Sequence, residues 1–145
     1  MPGKIQSSLR PVPVPDDLTR PYWDGAKERR LVIQRCQECK TYWHPPLHQC
    51  MRCESRNLTF EQVSGQGRIY SCIRVHDSQI KAFVDALPYF VVHVELDEQP
   101  WLLVTCNMAE ADPSEIEIGA TVEVTFEEIS EGHFLPDFKP AAHRG

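Results

Sequence analysis

The sequence predicts a mainly β protein: a short N-terminal helix, then a zinc ribbon, then a small five-stranded barrel. Three observations carry that expectation. Two C-x2-C pairs, Cys36-Gln37-Glu38-Cys39 and Cys50-Met51-Arg52-Cys53, stand ten residues apart. Beyond residue 60 the apolar residues recur with the period of two that marks a half-buried strand. The charge changes character at the same place: residues 1–60 hold 10 Lys+Arg against 6 Asp+Glu, residues 61–145 hold 5 against 15, and +4 with -10 makes the net -6. The expected organisation is an extended arm and helix over residues 1–30, a ribbon over 31–60, the barrel over 61–140 and a tail over 141–145.

Taken in order, Pro11-Val12-Pro13-Val14-Pro15 removes backbone donors and fixes φ at alternate residues, which predicts an extended segment. Asp16-Asp17 offers capping carboxylates to a helix over Leu18–Arg30, with Leu18, Tyr22, Trp23 and Ala26 as its apolar stripe. Pro21 and Gly25 weaken that helix. Leu31-Val32-Ile33-Gln34-Arg35 reads as a strand running into Cys36, and Leu58-Thr59-Phe60 as the strand that closes the ribbon.

In the barrel half, Gly67–His76 places Ile69, Ser71, Ile73 and Val75 on one face and Tyr70, Cys72, Arg74 and His76 on the other. Tyr89–Leu96 places Phe90, Val92, Val94 and Leu96 together, with His93 outward. Thr121–Glu127 points Val122, Val124 and Phe126 inward. Asp97-Glu98-Gln99-Pro100 is a turn into a strand over Trp101–Thr105, and a last strand is expected around His133-Phe134-Leu135, ending before Pro136. Five strands with no helix among them favour a small closed or partly open antiparallel barrel.

Two C-x2-C knuckles can bring four thiolates to the corners of a tetrahedron, the geometry zinc takes in structural sites. Pro45 and Pro46 stiffen the loop between them. Four thiolates also suit iron, but an electron carrier has no need of a large acidic β-domain, so zinc is the expected metal. With four sulfurs bound, no coordination position stays open for water or substrate, and such a metal is structural. His44 and His48, in the intervening loop, are expected as loop or interface residues. Cys72 and Cys106 lie alone in apolar segments, which reads as core packing.

No nucleophile elbow, zincin helix, phosphate loop or dinucleotide fingerprint occurs in the sequence. Cys72 and His76 stand four strand residues apart, about 13 Å at ~3.3 Å per residue, beyond hydrogen-bond reach. Nucleic-acid binding is the alternative function for a ribbon followed by a barrel, but a barrel half of -10 repels phosphate. The first thirty residues hold no apolar segment of the signal-peptide kind, and no apolar run approaches the ~20 residues of a membrane span. The expected compartment is the cytoplasm.

Several features in one order resemble the thiolase-associated proteins in which a rubredoxin-like zinc ribbon precedes an OB-fold associated with acyl-CoA. They are Tyr22-Trp23-Asp24-Gly25, Leu31–Cys36, Pro45-Pro46 ahead of Cys50, Ser64-Gly65-Gln66-Gly67-Arg68-Ile69-Tyr70-Ser71, Leu87-Pro88-Tyr89 with Val94-Glu95-Leu96-Asp97, and Ile118-Gly119 before Val122-Glu123-Val124. The resemblance covers residues 20 to 140. Lys40 and Met51 depart from it, where the family usually has Gly and Pro.

The resemblance implies a non-catalytic subunit bound to a thiolase-superfamily enzyme: a thiolase, an acyltransferase or an aldolase acting on CoA-linked steroid side chains. A MaoC-type hydratase is a further implied partner. It implies zinc held by Cys36, Cys39, Cys50 and Cys53, and an acyl-CoA shared with the partner, whose phosphates would face Lys27, Arg29, Arg30 and Arg35. Tyr22 and Trp23 are candidate interface anchors.

Overall fold

The structure, a computed structural model, describes residues 10–142. The first nine residues of the expected arm and the last three of the expected tail lie outside the described residues. The elements are α1 (Arg20–Lys27), β1 (Val32–Cys36), β2 (Tyr42–Trp43), β3 (Leu58–Gln62), β4 (Gln66–Val75), α2 (Lys81–Val84), β5 (Tyr89–Leu96), β6 (Leu103–Asn107), β7 (Thr121–Ser130) and β8 (His133–Pro140). A 3-10 turn at Pro113–Glu115 joins β6 to β7. No helix among the described residues is long and apolar enough to cross a membrane.

Helix α1 is shorter than expected, and Pro21 and Gly25 support it instead of weakening it. Pro21 sits in the first turn, where a missing N–H costs nothing. Gly25 lets the helix lie against β1, because a Cβ there would stand 2.8 Å from a Val32 methyl. Asp16 accepts from both the N–H and the hydroxyl of Thr19 at 2.8 Å. At the other end Arg29 N–H donates to Ala26 O and Arg30 N–H to Gly25 O, with Arg29 in the left-handed region (φ 57°). That is the Schellman ending. Ala26, of the expected stripe, is fully buried.

The ribbon is an antiparallel three-stranded sheet in the order β2-β1-β3. The second sheet has the order β6-β5-β4-β7-β8, so β4 is central and pairs with β5 on one side and β7 on the other. Its edge strands meet through a parallel bridge between Met108 and Phe138, beside a bond from Ala109 N–H to Phe138 O at 2.7 Å. The expected barrel is therefore a five-stranded sheet with a short seam. Pro136 and Pro140 in β8 have no N–H with which to extend it.

The core joins both units: Leu31 and Ile33 of the ribbon pack in one cluster with Ile69, Val92, Val94, Leu96, Val104, Val122 and Phe138. Gly67 admits the close approach of β5, since a Cβ there would lie 2.3 Å from Glu95 O. The expected faces of β5 and β7 are present: Val92, Val94, Leu96 and Val122 are buried, Val124 and Phe126 pack on the core, and His93 is exposed.

Four expectations are corrected. The register of β4 shifts between Ile69 and Ser71, and this bulge at Tyr70 exchanges the faces beyond it. Cys72 packs toward the core with Ile69, while Ile73 is 62% exposed. Trp101 belongs to the turn and not to the strand after it: it adopts φ 67° and stands 72% exposed. The last strand does not stop at Pro136 but runs on to Pro140, which an edge strand tolerates. The barrel half also contains the one-turn helix α2, where no helix was expected.

Two glutamines replace backbone pairing with side-chain amides. Gln34, buried, donates through Nε2 to Leu47 O at 2.8 Å and accepts from Leu47 N–H at 2.7 Å. Gln99, in the β5–β6 turn, does the same to Tyr42, accepting at 2.8 Å and donating at 3.1 Å. The first pins the loop leading to Cys50; the second covers the open edge of β2 and ties the ribbon to the sheet. Gln34→Ala leaves a donor and an acceptor of Leu47 without partners, and we expect a loss of about 2 kcal/mol in urea unfolding. A change below about 0.5 kcal/mol, the range of an ordinary surface substitution, would show that the pair does not hold the loop.

Candidate metal centre

Both knuckles close in the same way. Cys36 N–H donates to Thr41 O and Lys40 N–H to Cys36 O; Cys50 N–H donates to Ser55 O and Glu54 N–H to Cys50 O. Lys40 and Glu54, each directly after the second cysteine of its pair, take φ of 63° and 64°. This explains the departure at Lys40: the turn needs the left-handed conformation that glycine adopts freely, and lysine adopts it here with the metal set unchanged.

The four thiols of Cys36, Cys39, Cys50 and Cys53 lie within 4.8 Å of one another. Cys36 and Cys53 Sγ are 3.5 Å apart, Cys39 and Cys50 Sγ 3.6 Å. Zinc–sulfur bonds of ~2.3 Å in a regular tetrahedron put sulfurs about 3.8 Å apart, so the cage fits a zinc ion. Trp43 Nε1 donates to Cys50 Sγ at 3.3 Å, and Thr41 Oγ1 lies 3.2 Å from Cys39 Sγ. Such donors stabilise thiolate ligands.

The electrostatics favour a bound cation. Burial opposes ionisation of Cys50, but the N–H groups of Cys53 and Arg52, the Trp43 indole and Cys39 outweigh it and bring its pKa down to about 6. The Ser55 N–H favours the Cys53 thiolate; burial and the three neighbouring sulfurs override it and push that pKa up to about 12. Four crowded sulfurs do not all ionise unaided, and a divalent ion removes the conflict by coordinating them as thiolates.

His44 and His48 lie outside this cage. His48 is exposed; His44 is largely enclosed, its ring 5.2 Å from that of Tyr22, and burial holds its pKa near 4. The four basic candidates do not converge as free charges. Arg30 pairs with Glu28, Arg35 pairs with Glu61 at 3.1 Å and lies 4.5 Å over the Tyr42 ring, and Arg29 lies over Phe134. Lys27 is exposed at the end of α1. Tyr22 and Trp23 stack edge to face at 5.0 Å.

Cys72 and His93 do not form a nucleophile–base pair, since Cys72 faces Val92 in the register and packs inward while His93 is exposed. Cys106 lies in a cluster that sequence reasoning missed. Asp137, buried in β8, sits beside Glu127 of β7, Arg10 of the arm, Cys106 of β6 and Tyr22 of α1. Burial, then the hydrogen bond and charge of Glu127, push the Asp137 carboxyl up to about 8. Burial and Asp137 push the Cys106 thiol far above the usual range, and burial does the same to the Tyr22 phenol. The sequence held only a faint signal for this cluster, an acidic residue between Pro136 and Phe138 in a strand-like run.

Residues 23–59 match the family described as "ChsH2, rubredoxin-like zinc ribbon domain", and residues 60–127 match "ChsH2, C-terminal OB-fold domain". The chain is 39% identical over 134 residues to a "Probable enoyl-CoA hydratase alpha subunit" of Thermomonospora curvata, a match covering 92% of this chain and 41% of that protein. It therefore spans about two-fifths of that relative. A "DUF35 domain-containing scaffold protein" of Methanocaldococcus jannaschii is 33% identical over 75% of this chain and 77% of its own length. The solved structure titled "Ltp2-ChsH2(DUF35) aldolase" contains a chain that superposes with a TM-score of 0.81 at 37% identity, covering 90% of this chain and 99% of that one. The ribbon, the sheet and the relatives agree, and the chain belongs to the DUF35 family, as a ribbon and OB-fold protein of the ChsH2 type.

Proposed function

We propose that the chain is a non-catalytic subunit that binds a thiolase-superfamily enzyme and helps cover that enzyme's acyl-CoA. The observation that carries this reading is the likeness, along nearly its whole length, to the DUF35 chain of an aldolase assembly. The fully sulfur-lined cage supports it, because four thiolate ligands leave a zinc ion no position for substrate. In this reading the arm and helix (1–30) and ribbon (31–60) dock, the OB-fold (61–140) covers the acyl group, and Lys27 and Arg29 offer the CoA phosphates the least committed of the four basic side chains. The reaction is that of the partner: carbon–carbon cleavage, condensation or acyl transfer on a CoA thioester, in the cytoplasm. A hydratase partner is the second version, since the Thermomonospora relative is named as a hydratase subunit.

Co-expression with a thiolase-like enzyme from a neighbouring gene is expected to give one complex on size exclusion, with acyl-CoA turnover absent from either protein alone. Separate elution of the two, with the enzyme fully active by itself, would refute the proposal.

A further inference from the structure

The run Pro11-Val12-Pro13-Val14-Pro15 belongs to neither sheet and neither helix, yet the chain fixes both of its ends. Before it, the Arg10 side chain is only 4% exposed and pairs with Glu127 Oε1 at 3.0 Å, 117 residues away in sequence. After it, Asp16 and Thr19 bond reciprocally, Asp16 N–H to Thr19 Oγ1 at 3.1 Å and Thr19 N–H to Asp16 Oδ1 at 2.8 Å, and Arg20 N–H donates to Asp16 O.

Between these anchors the backbone has little freedom. Ring closure holds φ near about -65° at Pro11, Pro13 and Pro15, and each following proline steers Arg10, Val12 and Val14 away from the helical region. The run from Arg10 to Val14 is thus held extended, in the β and polyproline II region. Val14 is 92% exposed and Val12 37%. A single exposed valine needs no explanation; a stiff apolar rod anchored at both ends by charged and polar contacts does.

Resting on the partner reading above, we infer that residues 11–15 are a pre-ordered polyproline strap that the partner enzyme receives in a groove lined by aromatic rings, with Val14 as the inserted side chain. The chemistry selects that groove. Three of the five residues have no N–H, so strand addition fails for want of donors, whereas the carbonyls remain as acceptors. A receiving surface therefore supplies flat apolar rings for the proline and valine faces and indole N–H or phenol O–H groups for the carbonyls. Because the rod is already ordered, binding loses little conformational entropy.

The test compares the wild type with Val14→Asp and with a variant in which Pro11, Pro13 and Pro15 are glycine, titrated against the purified partner enzyme. Val14→Asp is expected to weaken the complex at least tenfold with Tm unchanged, because Val14 is exposed and supports no core. The glycine variant is expected to weaken it several-fold with a fall of a few degrees in Tm, because glycine frees the unfolded chain. A photo-crosslinking residue at position 14 is expected to join the partner at an aromatic-rich peptide. Wild-type binding with both variants at wild-type affinity and no cross-link would overturn the strap and leave the partner reading standing. No binding by the wild type would remove the partner reading and the strap with it.

Discussion

Stripping the metal, or replacing Cys50 with serine, is expected to unfold the ribbon and release the partner. The ribbon has little else to hold it: β2 is two residues long, and residues 37–57 contain no buried apolar side chain besides Cys50. Structural zinc sites contribute on the order of 10 kcal/mol to small domains near neutral pH, comparable with the roughly 5–15 kcal/mol by which a whole domain is stable. The core cluster continues from Leu31 and Ile33 into the second sheet, so the loss is expected to spread beyond the ribbon. One zinc per chain by atomic absorption, a collapse of Tm with chelator, and recovery on adding zinc would establish it. A chain that keeps its Tm and its partner with no metal bound would contradict it. The cage discriminates between metals as well: an iron form would show thiolate-to-iron absorption in the visible, and the zinc form none.

How much of this was legible in the sequence differs from element to element, and the differences have physical causes. The metal cage could be read because cysteine spacing is a local property; the two knuckles repeat the same turn within five residues each. The faces of β5 and β7 followed from period two, as regular pleating requires. That rule failed in β4 because a bulge is an extra residue whose place depends on the partner strand, so Ile73 and Cys72 exchanged sides. Trp101 resembled a strand residue by type, but its φ of 67° is set by a turn in which its N–H donates to Glu95 Oε2 at 3.0 Å. Pro136 reads as a terminator in sequence because a proline says where donors are missing, not whether the strand lies at an edge. For Lys27, Arg29, Arg30 and Arg35 the sequence shows the charges but not their neighbours: Glu28 beside Arg30, Glu61 and Tyr42 beside Arg35 and Phe134 beneath Arg29 are brought there by the fold.

Asp137→Asn is expected to stabilise the chain increasingly as pH rises. Asp137 lies where Tyr22 of α1, Cys106 of β6, Glu127 of β7 and Arg10 of the arm meet, with the Asn107 backbone also facing it. Burial dominates its shift to about 8, the adjacent Glu127 adds to it, and Arg10 opposes it only in part. The folded-state pKa is thus raised above the ~3.9 of an unfolded aspartate. The folded chain binds the proton more tightly, so this group's contribution is complete below about pH 4 and is lost progressively as pH rises toward 8. Asparagine cannot ionise, yet it keeps an N–H donor for Glu127 and an oxygen for the Asn107 side of the seam. The variant and the wild type are expected to be close in stability at pH 5 and to diverge by on the order of 3 kcal/mol by pH 8.5, with no further divergence above that. Urea unfolding across this range measures it directly. The zinc cage, which weakens in acid, is common to both proteins and cancels in the difference. A gap that stays constant from pH 5 to 8.5 would mean that Asp137 is ionised throughout, held by Arg10, and that its pair with Glu127 shares no proton.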